Sequence, residues 1–171
     1  MGFATGDLHD FVSEPSYRGF DLTFLWPVYR SLYIGPSLAT NHFYEEKPRE
    51  TYERGTSAVT AKLYRYTDYW NTSLVTRYYF REPTSFIRPY GSLRLGVAAL
   101  STTTFAADFT DQDNPVGFSL SPEVGALLRI SKPVSLSVAY TYNFSTASIE
   151  RFDKLSFGAL QFGLSIEFPP N

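Results

Sequence analysis

The sequence contains no cysteine, so disulfide frameworks and cysteine-based metal sites are excluded. Absence of thiols fits passage through an oxidising compartment. Histidine is scarce, with two residues, His9 and His42. A zinc site takes about three or four ligands, and no His/Asp/Glu cluster offers that many. No Gly-rich phosphate loop follows a strand and opens a helix. No window approaches the roughly 18–20 consecutive apolar residues of a spanning helix. Charge of one sign is missing as well: 15 Lys+Arg against 17 Asp+Glu give a formal net charge of −2, which argues against a nucleic-acid surface. The opening residues, Met1 to Asp7, lack a basic segment followed by an apolar one, so no export signal is read there. The expectation is a mature or trimmed chain, with Met1 added or internal.

What is present is aromatic. Tyr (13) and Phe (15) carry most of an 18% aromatic content, while hydrophobic residues make up 43% and the mean hydropathy is −0.18. A membrane-spanning barrel gives this combination, because only alternate residues meet lipid and aromatics gather at both interfaces. The 171 residues suit a single domain, 1–171.

The clearest stretch is Leu155 to Phe168. Leu160, Phe162, Leu164, Ile166 and Phe168 fall on one face of a strand, and Ala159, Gln161, Gly163, Ser165 and Glu167 on the other. In a soluble sandwich the bulky face is buried; in a transmembrane barrel it faces lipid. The rest of the chain chooses between them. Gly2 to Thr5 read as the tail of a first strand, too short to cross a bilayer, and Asp7 to Ser16 as a loop. Tyr17 to Val28 places Phe20, Leu22, Phe24 and Trp26 against Gly19, Asp21, Thr23 and Leu25. Pro27 to Ser31 reads as a short turn. Leu32 to Tyr44 follows, with Pro36 expected to break the ladder locally. Glu45 to Gly55 reads as a solvated loop, Thr56 to Tyr66 as strand extending above a membrane, and Asp68 to Phe80 as a crossing. Ile87 to Ser101, Val116 to Ile130 and Val134 to Phe144 are further crossings. Thr102 to Pro115 and Ser145 to Lys154 read as polar loops.

Two regularities point the same way. Short connections near Tyr29, Pro83 and Lys132 alternate with long polar ones after Asp7, Glu45, Thr102 and Ser145, which is the outer-membrane pattern. The face opposite the bulky residues is repeatedly Gly, Ser, Ala, Thr and Asn, a set that cannot build a soluble core but can line a narrow lumen. The reading is all-β: an antiparallel up-and-down transmembrane β-barrel of about eight strands, the first incomplete. The segments SYRGFDLTF, KLYRYTDYW to RYYF, IRPYGSLRLGVA, SPEVGALL and the terminal LSIEF carry a resemblance to the bacterial outer-membrane β-barrel domain family, the small OmpA- and OmpX-like barrels, in their Bacteroidetes-type variant. The resemblance implies fold and outer-membrane location. Family members end on an aromatic residue; Phe168 matches it, and Pro169, Pro170 and Asn171 depart from it.

Asp21, Arg77, Arg94 and Glu123 lie on the small-residue face, and charges in a closed interior should pair. Arg94 and Glu123, each seven residues from the short-turn rim, are expected to pair at mid-height, with Asp21 and Gln161 in the same luminal layer. That layer is expected to plug the lumen; a selectivity network is the alternative. Phe20, Leu22, Phe24, Leu74, Leu93, Leu95, Val97, Val124, Leu128, Leu136, Val138, Leu160, Phe162 and Leu164 should face lipid. Trp26, Tyr29, Tyr33, Tyr78, Phe80, Phe86 and Tyr90 should form one aromatic girdle, and Tyr17, Trp70, Tyr142 and Phe144 the other. His42 is read as an ordinary polar residue. No catalytic residue, metal or cofactor is expected. The expected partners are outer-membrane lipid and an envelope protein met through the outer loops, not nucleic acid. The leading role is structural, anchoring or surface-binding; a narrow pore for small solutes and a soluble lipocalin-like barrel are the alternatives.

Overall fold

A computed structural model describes residues 2–5, 18–54, 57–106, 109–147 and 155–168. Its strands are β1 (Gly2–Thr5), β2 (Arg18–Thr23), β3 (Trp26–Tyr29), β4 (Leu32–Arg54), β5 (Ser57–Tyr79), β6 (Ile87–Ala106), β7 (Phe109–Asp113), β8 (Val116–Arg129), β9 (Val134–Ser145) and β10 (Leu155–Ile166). Every pairing is antiparallel, in the order β1-β10-β9-β8-β6-β5-β4-β2, with β3 against β4 and β7 against β6. β2 and β3 form one crossing and β7 and β8 another, so the wall is an eight-crossing, up-and-down, curled sheet.

Both interruptions have a proline behind them. Phe24 N–H donates to the Pro36 carbonyl at 3.0 Å, but Pro36 has no N–H to return, and β2 ends at Thr23. β4 itself runs through Pro36 without a break, keeping Pro36 opposite Leu74. Pro115 separates β7 from β8, and its carbonyl accepts the Leu100 N–H at 2.9 Å.

The connections sort onto two rims. Arg30–Ser31, residues 80–86 and residues 130–133 lie at one end; the β4–β5, β6–β7 and β9–β10 ends lie at the other. At the short rim, the N–H groups of Ile130 and Ser131 both donate to the Val134 carbonyl at 3.0 Å. Two expected loops are not loops. Glu45 to Gly55 is strand as far as Arg54, paired to β5 with a register shift between Lys47 and Glu50, where Pro48 lacks a donor. Within Thr102 to Pro115, β6 continues to Ala106 and β7 returns along it. Polar sequence does not forbid a strand in water: each added residue extends a ladder whose neighbour is already ordered. β4 and β5, at 23 residues each, are about twice the 9–11 residues that cross a bilayer. Asp7 to Ser16 and residues 148–154 lie outside the described residues.

Side chains alternate as the sequence requires. The outer face carries Phe20, Leu22, Phe24, Leu74, Leu93, Leu95, Val97, Val124, Leu136, Phe162 and Leu164, all exposed, while Leu128, Val138 and Leu160 on the same face are half-buried. Trp26, Tyr29, Tyr78, Phe80 and Phe86 ring the short-turn rim, and Trp70 and Phe144 stand towards the other. Tyr33 and Tyr90 do not join that ring. Tyr90 is 2% exposed, and both pack inside with Tyr79. They share the inward parity of Gly35 and Ser92, so alternation outranks aromatic character here. Tyr17 lies outside the described residues.

Candidate functional site

An ionic cluster sits at mid-height in the lumen. Register builds its first row: Arg77 of β5 lies opposite Ser92 of β6, Ser92 opposite Glu123 of β8, and Glu123 opposite Thr141 of β9. All four point inward because their neighbours in each strand, such as Tyr78, Leu93 and Val124, point outward. Arg77 Nη2 donates to Glu123 Oε1 at 2.7 Å, and Arg77 Nε donates to Ser92 Oγ at 2.8 Å. Thr141 Oγ1 donates to Glu123 Oε2 at 3.1 Å.

Arg94 comes from the next inward position of β6, where its register partner is Ser121 rather than Glu123. The expected equal height is therefore off by one inward step, and the length of the arginine side chain closes the difference. Its Nη2 bonds Glu123 Oε2, and its Nη1 bonds both Asp21 Oδ2 and Ser37 Oγ, the latter at 3.0 Å. Asp21 also accepts from Thr23 Oγ1 at 2.8 Å. Two arginines and two carboxylates thus neutralise one another, which offsets the cost of removing them from water. Gln161 lines the same lumen, half-buried, and no hydrogen bond among the described residues joins it to the cluster.

Towards the long rim the lumen is filled. Asn71 Nδ2 donates to Ser119 Oγ at 2.5 Å and to Tyr69 Oη at 3.0 Å, and Ser121 Oγ donates to Asn143 Oδ1 at 2.9 Å. Tyr69 meets Phe157 edge-on at 4.9 Å between ring centroids, and both are buried. Towards the short rim a second arginine site exists that the sequence reading passed over. Arg88 Nη1 bonds Glu167 Oε1 at 2.7 Å, and its guanidinium lies 3.6 Å from the Tyr79 ring centroid. Arg88 shares the inward parity of Ser92 and Arg94, so counting back from them would have found it.

A cavity of about 1350 Å³ lies below the filled part, and Asp21, Arg77, Arg94, Glu123 and Gln161 line it. The sequence reading expected a polar layer at mid-height to close the lumen; small residues such as Gly163 and Ser165 leave this space beside that layer. Outside the lumen, His42 and Asp68 face each other across β4 and β5, with Nδ1 and Oδ1 at 2.6 Å and side chains 42% and 44% exposed. His42 thus has a carboxylate partner that only the hairpin register reveals. No group of three or more His, Cys, Asp or Glu residues is placed to hold a metal among the described residues.

No protein-family model and no curated protein sequence matches the chain. Solved structures do. The structure of Ail, the attachment invasion locus protein of Yersinia pestis, aligns with a TM-score of 0.55 at 13% identity, over 86% of this chain and 80% of that one. Ail in complex with the heparin analogue sucrose octasulfate aligns with a TM-score of 0.51 at 14% identity, over 88% and 82%. The N-terminal β-barrel domain of Pseudomonas aeruginosa OprF gives 0.38 at 18% identity, over 88% and 93%. At these identities the likeness to Ail is one of fold: the eight-crossing antiparallel barrel.

Proposed function

We propose that this chain is a bacterial outer-membrane barrel of the small OmpA- and OmpX-like kind, in a Bacteroidetes-type variant, that anchors a raised strand platform for binding at the cell surface. The observation that carries the reading is the inversion of the two faces. Leu95, Val124, Phe162 and Leu164 are exposed, at 57, 64, 67 and 68%, while Arg94 and Glu123 between them are 4 and 2% exposed. Water rewards the opposite arrangement; lipid rewards this one. The lipocalin-like alternative needs a lumen lined by large apolar residues, and mid-height of this lumen is instead taken by the side chains of Asp21, Arg77, Arg94 and Glu123. The experiment is partition into detergent together with gel migration before and after boiling. A heat-modifiable, detergent-requiring monomer is expected, and a monomer indifferent to detergent overturns the reading.

The platform is the part of β4, β5, β6 and β7 beyond the bilayer. Its tip sequence, EEKPRETYER, carries four glutamates against one lysine and two arginines. The facing β5 half adds Lys62 and Arg65, so the hairpin tip is of mixed charge, and the partner class proposed is an envelope or surface protein. Removing residues 46–64 should abolish capture of that partner by whole cells while leaving heat-modifiability intact. The ionic cluster serves to hold the barrel closed at mid-height, without a catalytic task.

A further inference from the structure

The three short connections share one pattern. Each joins an exposed apolar side chain of the outer face directly to a cation. Tyr29 precedes Arg30, Phe80 precedes Arg81, and Ile130 follows Arg129 with Lys132 two residues on. Tyr29, Phe80 and Ile130 are 70, 64 and 66% exposed. Arg30, Arg81 and Lys132 are exposed as well, and Arg129 is half-buried. Glu82 is the acidic residue of these connections, and Arg88 and Glu167 neutralise each other beside them. Among the described residues, four cations against one anion thus give the short rim a charge of +3, although the sequence as a whole carries −2. The far edge of the outward belt has no such bias. Arg18 lies two residues from Phe20 there, but Asp68 lies two residues from Trp70, and Glu45 follows Tyr44.

The turns that carry the cations are held in place. Arg88 Nε donates to the Arg81 carbonyl and Arg129 Nη1 to the Pro83 carbonyl, each at 3.2 Å. The Arg129 N–H donates to the Phe86 carbonyl at 2.9 Å. With the backbone fixed, the level of each cation follows from its neighbour. A side chain that meets lipid marks the edge of the apolar band, and a long-stemmed cation next to it reaches the headgroup layer. Successive short turns lie two strands apart in the wall, about 10 Å at the usual strand spacing. One cation at each such step suits separate, singly charged headgroups better than one compact polyanion. An acidic protein in solution would not require each cation to adjoin a lipid-facing residue.

We propose that the short-turn rim is a collar for anionic phospholipid headgroups of the periplasmic leaflet, with Arg30, Arg81 and Lys132 as its phosphate contacts. This rests on the membrane reading above. Each cation at an anionic membrane surface is worth about a fivefold preference. Salt weakens that preference, because exposed charges are screened.

The two tryptophans read the two leaflets apart. Trp26 stands on the outer face near the short rim, and Trp70 lies ten residues back from Phe80, towards the long rim; they are 59 and 46% exposed. Trp70→Phe leaves Trp26 as the one tryptophan, and Trp26→Phe leaves Trp70. Each protein is placed in vesicles of phosphatidylcholine and phosphatidylglycerol, with one lipid or the other brominated on its acyl chains, and fluorescence quenching is measured. Trp26 should report phosphatidylglycerol enriched beside it by about fivefold or more at low salt, and Trp70 no enrichment. Arg30→Gln, Arg81→Gln and Lys132→Gln together should abolish the enrichment at Trp26. Equal enrichment at both tryptophans, or enrichment at Trp26 that survives the triple change, overturns the proposal. So does enrichment that inorganic phosphate removes and chloride of the same ionic strength does not, since the rim then takes free phosphate rather than a lipid. If brominated phosphatidylcholine quenches neither tryptophan, the membrane reading falls first; quenching by both lipids without preference overturns the collar alone.

Discussion

Arg77 and Glu123, 46 residues apart in the chain, meet at 2.7 Å in the lumen. Glu123 is the shared anion of the cluster, since Arg94 binds its other oxygen. Removing it leaves two guanidinium groups facing each other with only Asp21 to compensate. Glu123→Ala should therefore cost roughly 3–5 kcal/mol. Urea unfolding of the micelle-bound protein measures it, and a Glu123→Ala protein as resistant as the parent would show that the cluster does not hold the barrel.

Asp21 tests the same cluster from its more open side. Its side chain is 18% exposed and keeps a bond to Thr23. Asp21→Asn should cost less than Glu123→Ala, about 1–2 kcal/mol. The double variant should be less damaging than the sum of the two, because both losses act on Arg94. A double-mutant cycle that comes out additive would separate the two carboxylates.

Position along the outer face should set the cost of charge. Leu95 stands midway along the outer face of β6, which the membrane reading puts near mid-bilayer, and Ile130 at the short-turn rim, at 57 and 66% exposure. In lipid, Leu95→Arg should cost roughly 2–4 kcal/mol and Ile130→Arg at most about 1. Equal costs, compared by unfolding from vesicles, would place the hydrocarbon band elsewhere.

Gly125 is a packing requirement. A Cβ there would lie 2.6 Å from the Tyr90 ring and 2.8 Å from the Val138 carbonyl. The carbonyl is fixed by the ladder, so Tyr90 would have to move, and Arg77 stacks on Tyr90 at 4.1 Å from its centroid. Gly125→Ala should destabilise by about 1–3 kcal/mol. Pairing it with Tyr90→Phe should not restore stability, because the ring itself is in the way; recovery would show that the hydroxyl alone is the obstacle.

Arg88 should be more than a positive charge. Its guanidinium lies over the Tyr79 ring and bonds Glu167, so Arg88→Lys keeps the charge and loses the guanidinium's contact with the ring. Arg88→Lys should cost about 1 kcal/mol and Arg88→Ala about 2–3. If the lysine variant matches the parent, the stacking contributes nothing.

The sequence by itself determined the crossings and their faces. Alternation is local: once Leu95 points out, Arg94 points in, whatever the rest of the chain does. The same rule placed Asp21, Arg77, Glu123 and Gln161 on the inner face and would have placed Tyr33, Tyr90 and Arg88 there, had aromatic character not been given more weight. Register was partly legible, because short turns fix how neighbouring strands line up; Arg94 and Glu123 could be brought together to within one inward step. Polar composition misled at Glu45 to Arg54, since a ladder in water tolerates charged residues on both faces. Tertiary structure alone decided what depends on closure. Asp21 and Arg94 belong to strands that are not neighbours in the sheet, and only its curvature carries one across the lumen to the other. The cavity beside Gln161 has the same origin: it is a property of how far the sheet wraps, which no local pattern encodes.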